Sequence, residues 1–298
     1  MIPSADELLT IDPVGYRGAF DTLPFGFQHS LHKLPMFQPE ALARMAERYA
    51  DKPQDFFVAA SASAPGTKFY DVKHSMFKPH EALGQLDSSP VRVLLKRLEN
   101  HDTEFRDLLH TLFDALADLR GGLRGEKVLR LESSVFISSA ASTTPFHFDP
   151  EINHFFQIEG PKNYHVFAPS AVDEADLERF YVKGVVDIGQ LDLARCDPKQ
   201  EHVFNLEPGR AFHQPQNAPH WVQTGTVRSV SYAFVFETDA SRERSNARSA
   251  NHYLRMMGMK PQQPGLHPSA DHAKAAVMQV MTPMRVGVRK TVKQVLGR

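Results

Sequence analysis

Two short segments of this sequence carry residue types that can hold a metal ion. Thr144-Pro145-Phe146-His147-Phe148-Asp149 sets a histidine and a carboxylate two residues apart in a stretch that reads as extended. Side chains two apart on a strand leave the same face, so His147 and Asp149 can converge on one ion. They supply half a site. Pro219-His220-Trp221, at the head of a later strand candidate, offers His220 as the third ligand. Two histidines and one carboxylate on one face of an octahedral iron(II) leave three positions open, two for a 2-oxo acid and one for dioxygen. The same donors would also suit zinc. An H-x-D pair is a weak signal in a chain with fifteen histidines, so the residues that follow it matter: Asn153, Gln157, Gly160, Lys162 and Val166-Phe167-Ala168-Pro169. Lys162 alternates with Tyr164 and Val166, which would turn its ammonium inward. A buried ammonium needs an anion, and the distal carboxylate of 2-oxoglutarate would provide one.

Strands must position these residues. After the Gly121-Gly122 break, Val128 to Ser138 shows short β-like runs, followed by candidates at Phe146–Asp149, Asn153–Glu159, Asn163–Ala168, His202–Leu206, Ala211–Gln214, Trp221–Thr224 and Val227–Glu237. Turn signals at Gly160-Pro161, Pro208-Gly209 and Gly225 separate them, and short strands at this spacing predict an antiparallel sandwich or barrel. Ala171 to Pro198 reads as a helix and loop crossing between strands. The first third of the chain reads as mainly helical. Its clearest helix is Asp102 to Leu119, where Phe105, Leu108, Leu109, Leu112, Phe113, Leu116 and Leu119 form one stripe behind a capping aspartate. Pro39 to Tyr49 is a second, with Leu42, Met45 and Ala46 on one face.

The chain of 298 residues suits one main domain with appendages. A single cysteine, Cys196, allows no internal disulfide, and no secretory or membrane-spanning run is evident, so a cytoplasmic location without membrane contact is expected. The net charge of −1 hides an asymmetry: Ser241 to Arg298 carries eleven Lys or Arg against two acids, a net of +9 that leaves −10 for the rest. Six of the ten methionines also fall in this segment. Together with the helically spaced Ala273, Ala276, Val277, Val280 and Met281, they predict helices that pack on the acidic body and build a homodimer. The competing role for the segment is an acidic-partner or nucleic-acid tail, in which Arg285, Arg289, Lys290, Lys293 and Arg298 stay solvated; no nucleic-acid-binding motif accompanies it.

Residues 144 to 169 resemble the core of jumonji-type (JmjC) hydroxylases, among them the asparaginyl hydroxylase that inhibits hypoxia-inducible factor. The shared run is T-P-x-H-x-D, an Asn four residues after the Asp, Q-I-x-G-x-K and a closing F-x-P. The T-P-F-H-x-D-P-E and A-P-H-W-V segments also resemble bacterial cupin-like proteins of the same superfamily. The resemblance covers roughly residues 128 to 237. It implies a double-stranded β-helix (jelly-roll, cupin/JmjC) core with flanking helices, divided as 1–127, a helical and mixed flanking region; 128–239, the oxygenase core; and 240–298, a basic helical extension. It implies iron(II) on His147, Asp149 and His220, the 2-oxoglutarate tail on Lys162 and Thr144, and Asn153 beside the cosubstrate. A bend at Pro145 is required to bring Thr144 to the face of His147. Two positions depart from the family pattern. The asparagine of the last core strand has no counterpart in Val230-Ser231-Tyr232-Ala233-Phe234, where Ser231 is the substitute, and Arg210 stands where an aspartate is common in the approach to the distal histidine.

The expected activity is an iron(II)- and 2-oxoglutarate-dependent dioxygenase that hydroxylates or demethylates a protein or small-molecule substrate. A metal-dependent cupin without 2-oxoglutarate chemistry, or a non-catalytic cupin-fold binding protein, would keep the ligands but has no evident need for Lys162 and Thr144. Phe146, Phe148 and Phe156 fit an apolar lining. Trp221, His154, His165, Arg228 and Cys196 read as packing or surface residues, and His213 could approach the site from a neighbouring strand.

Overall fold

The computed structural model describes residues 2–62, 64–68, 72, 75–183 and 192–281. Its first part contains α1 (Ala5–Leu8), β1 (Leu9–Thr10), α2 (Pro13–Ala19), β2 (Phe25–His29), α3 (Pro39–Arg48), β3 (Phe56–Ala60), α4 (Pro79–Leu83), β4 (Val91–Lys96) and α5 (Thr103–Leu119). There follow β5 (Val128–Ser138), β6 (Thr143–His147), β7 (Ile152–Glu159), β8 (Lys162–Phe167), α6 (Glu174–Lys183), β9 (Glu201–Leu206), β10 (Arg210–Gln214), β11 (His220–Thr224), β12 (Ser229–Thr238) and α7 (Asp239–Met256). A further helix, α8, covers 268–281.

The helix α5 starts where Asp102 accepts hydrogen bonds from the amides of Glu104 and Phe105, and it buries the apolar stripe of Phe105, Leu108, Leu109, Leu112, Phe113 and Leu116. Those side chains meet Tyr232, Phe234 and Phe236 of β12 in the larger core of the molecule. Each such burial contributes about 1.5–3 kcal/mol.

Two antiparallel sheets organise the described strands. The larger runs β1-β2-β10-β7-β12-β5-β4-β3 and the smaller β6-β11-β8-β9. Strand alternation separates the faces of the larger sheet. On β12, Tyr232, Phe234 and Phe236 join the core beneath the helices, whereas Ala233 joins Phe155, Tyr164, Val166, Phe212 and Val222 between the two sheets. This is the jelly-roll architecture expected of the chain. Tight turns keep the sheets in register, as at Gly160 between β7 and β8. Its φ is +67°, and an added Cβ would lie 2.1 Å from the carbonyl oxygen of Arg228.

Three readings need correction. The first third of the chain was expected to be mainly helical, but it supplies four strands, and β2 and β4 extend the large sheet on both sides. The strand expected at Phe146–Asp149 runs instead from Thr143 to His147, so Asp149 follows the strand end. On α8 the buried positions are Asp271, Ala275 and Met278, while Ala273, Ala276, Val277, Val280 and Met281 face solvent. Periodicity locates an apolar face without saying which face packs. The basic residues 285–298 lie outside the described residues. The α7 cations Arg242, Arg244, Arg248 and Arg255 pair with Glu237, Asp21, Glu174 and Glu178 of the same chain.

Candidate metal and cosubstrate site

His147 ends β6 and His220 begins β11, and the two residues are direct cross-strand partners. Their rings are 4.1 Å apart. Each Nδ1 sits against a backbone carbonyl, His147 on Pro145 at 2.7 Å and His220 on Ala218 at 3.0 Å. A carbonyl only accepts, so each Nδ1 carries the proton and each Nε2 presents its lone pair, the arrangement typical of metal-binding histidines. Both Nε2 atoms face Asp149, each 3.7 Å from one carboxylate oxygen. The three donor atoms lie within 4.8 Å of one another. Burial pulls the imidazoles down to about 4 for His147 and about 3 for His220, so both are neutral and ligand-competent near pH 7. Burial also raises the Asp149 carboxyl, opposed by His220 and Arg130. A divalent cation would reverse that cost by drawing charge onto the carboxylate. The donor set fits such an ion, and the two-histidine, one-carboxylate face fits iron(II).

The turn that carries Asp149 is fixed from two directions. Asn217, at φ +64°, donates its amide to the Asp149 carbonyl at 2.9 Å. Its side-chain oxygen accepts from Tyr181 Oη of α6 at 2.5 Å. Phe148, between the two ligands in sequence, packs on Phe180 of α6. The polar insertion between β8 and β9 is thereby a buttress for the ligand-bearing turn.

Thr144, Asn153 and Lys162 line the same cavity of ≈350 Å³ as the three donors. Thr144 reaches the face of His147 because the β6–β11 register slips: His147 pairs with His220, but Thr144 pairs with Val222. Three steps on one strand oppose two on the other, so one extra residue, at Pro145-Phe146, restores the parity. This is the bend the sequence requires. Lys162 is 4% exposed and donates to Ser231 Oγ at 2.7 Å, and Ser231 donates in turn to Gln157. Ser231 therefore stands behind Lys162 as its anchor and is absent from the cavity wall. Asn153 Oδ1 is buried with no hydrogen-bond partner. Tyr164 stacks on His220 and donates to Gln214.

Arg92 is the residue that the sequence motifs miss. It lies on the inner face of β4, lines the cavity and donates to Thr144 Oγ1 at 2.8 Å. Burial pulls its guanidinium down to about 10. Burial and the nearby Arg92 pull Lys162 down to about 7. Among the described residues no carboxylate pairs with either cation, so the cavity holds two desolvated cations that lack an anion. The apolar residues at alternate positions, Val91, Val93 and Leu95, were the available signal, since they mark a half-buried strand whose other face carries Arg92.

The apolar lining differs from expectation, and the histidines, Trp221, Arg228 and Cys196 make structural contacts. Phe155 and Phe136 line the cavity; Phe156 lies in the core under the helices, Phe146 packs on Phe167 and Phe148 on α6. His213 faces away from the site, stacked on Phe20. His154 meets Tyr16, and Trp221 stacks on His165 while donating to Glu201. Arg228 pairs with Glu159 at 2.6 Å, and burial raises the Cys196 thiol, as suits a structural role.

No protein-family model and no curated protein matches the chain in sequence. Solved structures match it in shape. The Escherichia coli ribosomal oxygenase YcfD in complex with cobalt and 2-oxoglutarate aligns with a TM-score of 0.52 at 16% identity, over 92% of this chain and 67% of that one. YcfD with cobalt and succinic acid gives 0.51 at 16% over the same shares. A further YcfD crystal structure gives 0.51 at 18%, again over 92% and 67%. At such identity the likeness establishes the fold, and the residues of this chain must carry the chemistry.

Proposed function

We propose that this chain is an iron(II)- and 2-oxoglutarate-dependent oxygenase of the hydroxylase or demethylase type, with its oxygenase core at 128–239, acting in the cytoplasm on a protein or small-molecule substrate. The observation that carries this reading is the joining, in one cavity, of buried His147 and His220 and half-buried Asp149 with two cations that lack an anion, buried Lys162 and half-buried Arg92. The similarity in fold to YcfD, whose solved complexes hold cobalt with 2-oxoglutarate or succinate, supports it.

His147, Asp149 and His220 would hold the metal. Bound iron(II), with 2-oxoglutarate and dioxygen, supplies oxidative decarboxylation of the keto acid to succinate and carbon dioxide, with the second oxygen atom inserted into a substrate C–H bond. Lys162, fixed by Ser231, and Thr144, shared with Arg92, would grip the distal carboxylate. A dianion there restores full charge to Lys162 and removes the cost of two neighbouring unpaired cations. Asn153, on the same cavity wall, would be a polar neighbour of the cosubstrate. Phe155 and Tyr164 wall the site with apolar surface and limit the water that reaches it. The experiment is succinate formation from 2-oxoglutarate under air. Turnover that requires iron(II) and disappears in Asp149→Ala supports the reading, and turnover indifferent to that substitution overturns it.

The same reading includes a homodimer built through the C-terminal helices. It is favoured by the exposed Met256, Met257, Leu266, Val277 and Val280, an apolar set clustered in one stretch of sequence. Light scattering in high salt should give a dimer for the natural chain and a monomer for Val280→Glu. No helix among the described residues is long and apolar enough to cross a membrane.

A further inference from the structure

We infer that the primary substrate is an anion whose acid group is received by Lys96 on the wall of the cavity; this rests on the oxygenase reading above. The inner face of β4 presents Arg92, Leu94 and Lys96 at alternate positions, and all three line the cavity. Successive inward side chains lie about 6.8 Å apart, so Arg92 and Lys96 are separated by about 14 Å along the strand. Between them is an apolar stretch, in which Leu94 pairs across the sheet with Phe57 on one side and Phe136 on the other.

The charge inventory points to a second anion. Three cations line the cavity, Arg92, Lys96 and Lys162, and the sole carboxylate among the lining residues is Asp149. A divalent metal would more than neutralise Asp149. The cosubstrate is a dianion with one carboxylate at the metal and the other at the Lys162, Arg92 and Thr144 end, and neither is left for Lys96. The acid close to Lys96 in the fold is also taken: Asp55, whose carbonyl accepts the Lys96 amide, holds both Arg97 and His101 with its carboxylate. Among the described residues no carboxylate pairs with Lys96. A cation placed on a cavity wall, flanked by aromatic and aliphatic surface and lacking an internal partner, selects a ligand with an apolar body and an acid group. The cavity volume of ≈350 Å³ is at the small end for ligand pockets, which suits a compact organic acid or one acidic side chain held beside the cosubstrate.

The test uses the full chain loaded with Mn(II) and saturating 2-oxoglutarate under argon, so that binding is read without turnover. Short-chain and aromatic carboxylates and phosphate monoesters would be titrated by calorimetry beside their neutral amides and alcohols. At least one acid should bind about tenfold more tightly than its neutral partner, and Lys96→Gln should erase that preference while leaving 2-oxoglutarate affinity unchanged. Three results would overturn the inference: no acid preferred over its neutral partner, a preference that survives in Lys96→Gln, or acids that bind only by displacing 2-oxoglutarate. Failure of the protein to bind 2-oxoglutarate at all would overturn the oxygenase reading beneath it, and calorimetry with Mn(II) and 2-oxoglutarate alone separates the two failures.

Discussion

Two pairs of neighbouring histidines are buried among the described residues, and they have little else in common. His147 and His220 lie between the sheets, with ring centroids 4.1 Å apart; His154 and His213 lie beneath the helices, 5.0 Å apart. Burial keeps both pairs neutral. In the first pair both Nδ1 atoms donate to backbone carbonyls, and both Nε2 atoms converge on Asp149. In the second, Nε2 is already used: His154 on the Tyr16 hydroxyl at 2.8 Å and His213 accepting the Asp21 amide at 3.1 Å. No carboxylate completes a metal-holding group there, and His147, Asp149 and His220 are the only such group among the described residues. Proximity and burial therefore do not make a ligand pair. The lone pairs must be aimed together and joined by an anion.

Breaking the first pair should have the largest effect. Asp149→Ala should lower Mn(II) or Fe(II) affinity by more than the ~10–100-fold typical of losing an outer-shell partner. His154→Phe should leave metal affinity unchanged. Calorimetric metal titration of the two variants checks both, and equal losses would erase the distinction between the pairs. Next in size is Lys162→Ala, which removes one partner of a desolvated charge pair and should weaken 2-oxoglutarate binding by about 2–5 kcal/mol with metal binding retained. The Michaelis constant for 2-oxoglutarate in succinate formation reads that change.

The second pair should answer in stability instead. Tyr16→Phe strips His154 of its hydrogen-bond partner and should cost about 1–3 kcal/mol in denaturant unfolding, with no change in metal affinity. The smallest effect near neutrality is on pH. His213 is depressed to about 3 and His154 is lowered by burial and by His213, so between the ordinary histidine value and those lowered values the unfolded chain binds more protons than the folded one. Stability is then fully present above about pH 6.5 and is lost as pH falls toward about 3, at up to about 1.4 kcal/mol per pH unit for each histidine. Thermal unfolding as a function of pH should show a shallower acid slope in His154→Phe than in the natural chain. An identical slope would mean that the pair is not the source of acid sensitivity.

Much of this contrast was legible in the sequence where spacing is local. The H-x-D run, the Asn153 to Lys162 spacing and the strand candidates from residue 128 onward depend on neighbours within a few residues, and the structure brings those residues together. What was hidden depends on pairing between distant segments. Arg92 precedes Thr144 by 52 residues, and only the β4–β5 and β5–β12 pairings carry it to the cavity. The extra residue at Pro145-Phe146 is a property of the β6–β11 ladder, and the sequence called for a bend there only because the family resemblance sets Thr144 beside His147. Phe25–His29 escaped because so short a run shows little alternation, and its strand character comes from β10 beside it. For α8, two apolar faces were present in one sequence, and the body of the protein selected the one with Ala275 and Met278.

The central claim is that one cavity holds both a metal and a dicarboxylate, and its most direct measurement is titration of 2-oxoglutarate into the full chain under argon, with and without Mn(II). The expected result is a single binding site that requires Mn(II), is lost with Asp149→Ala and is weakened at least ~30-fold with Lys162→Ala. A chain that binds Mn(II) at His147, Asp149 and His220 but takes up no 2-oxoglutarate, or takes it up equally well after Lys162→Ala, would contradict it.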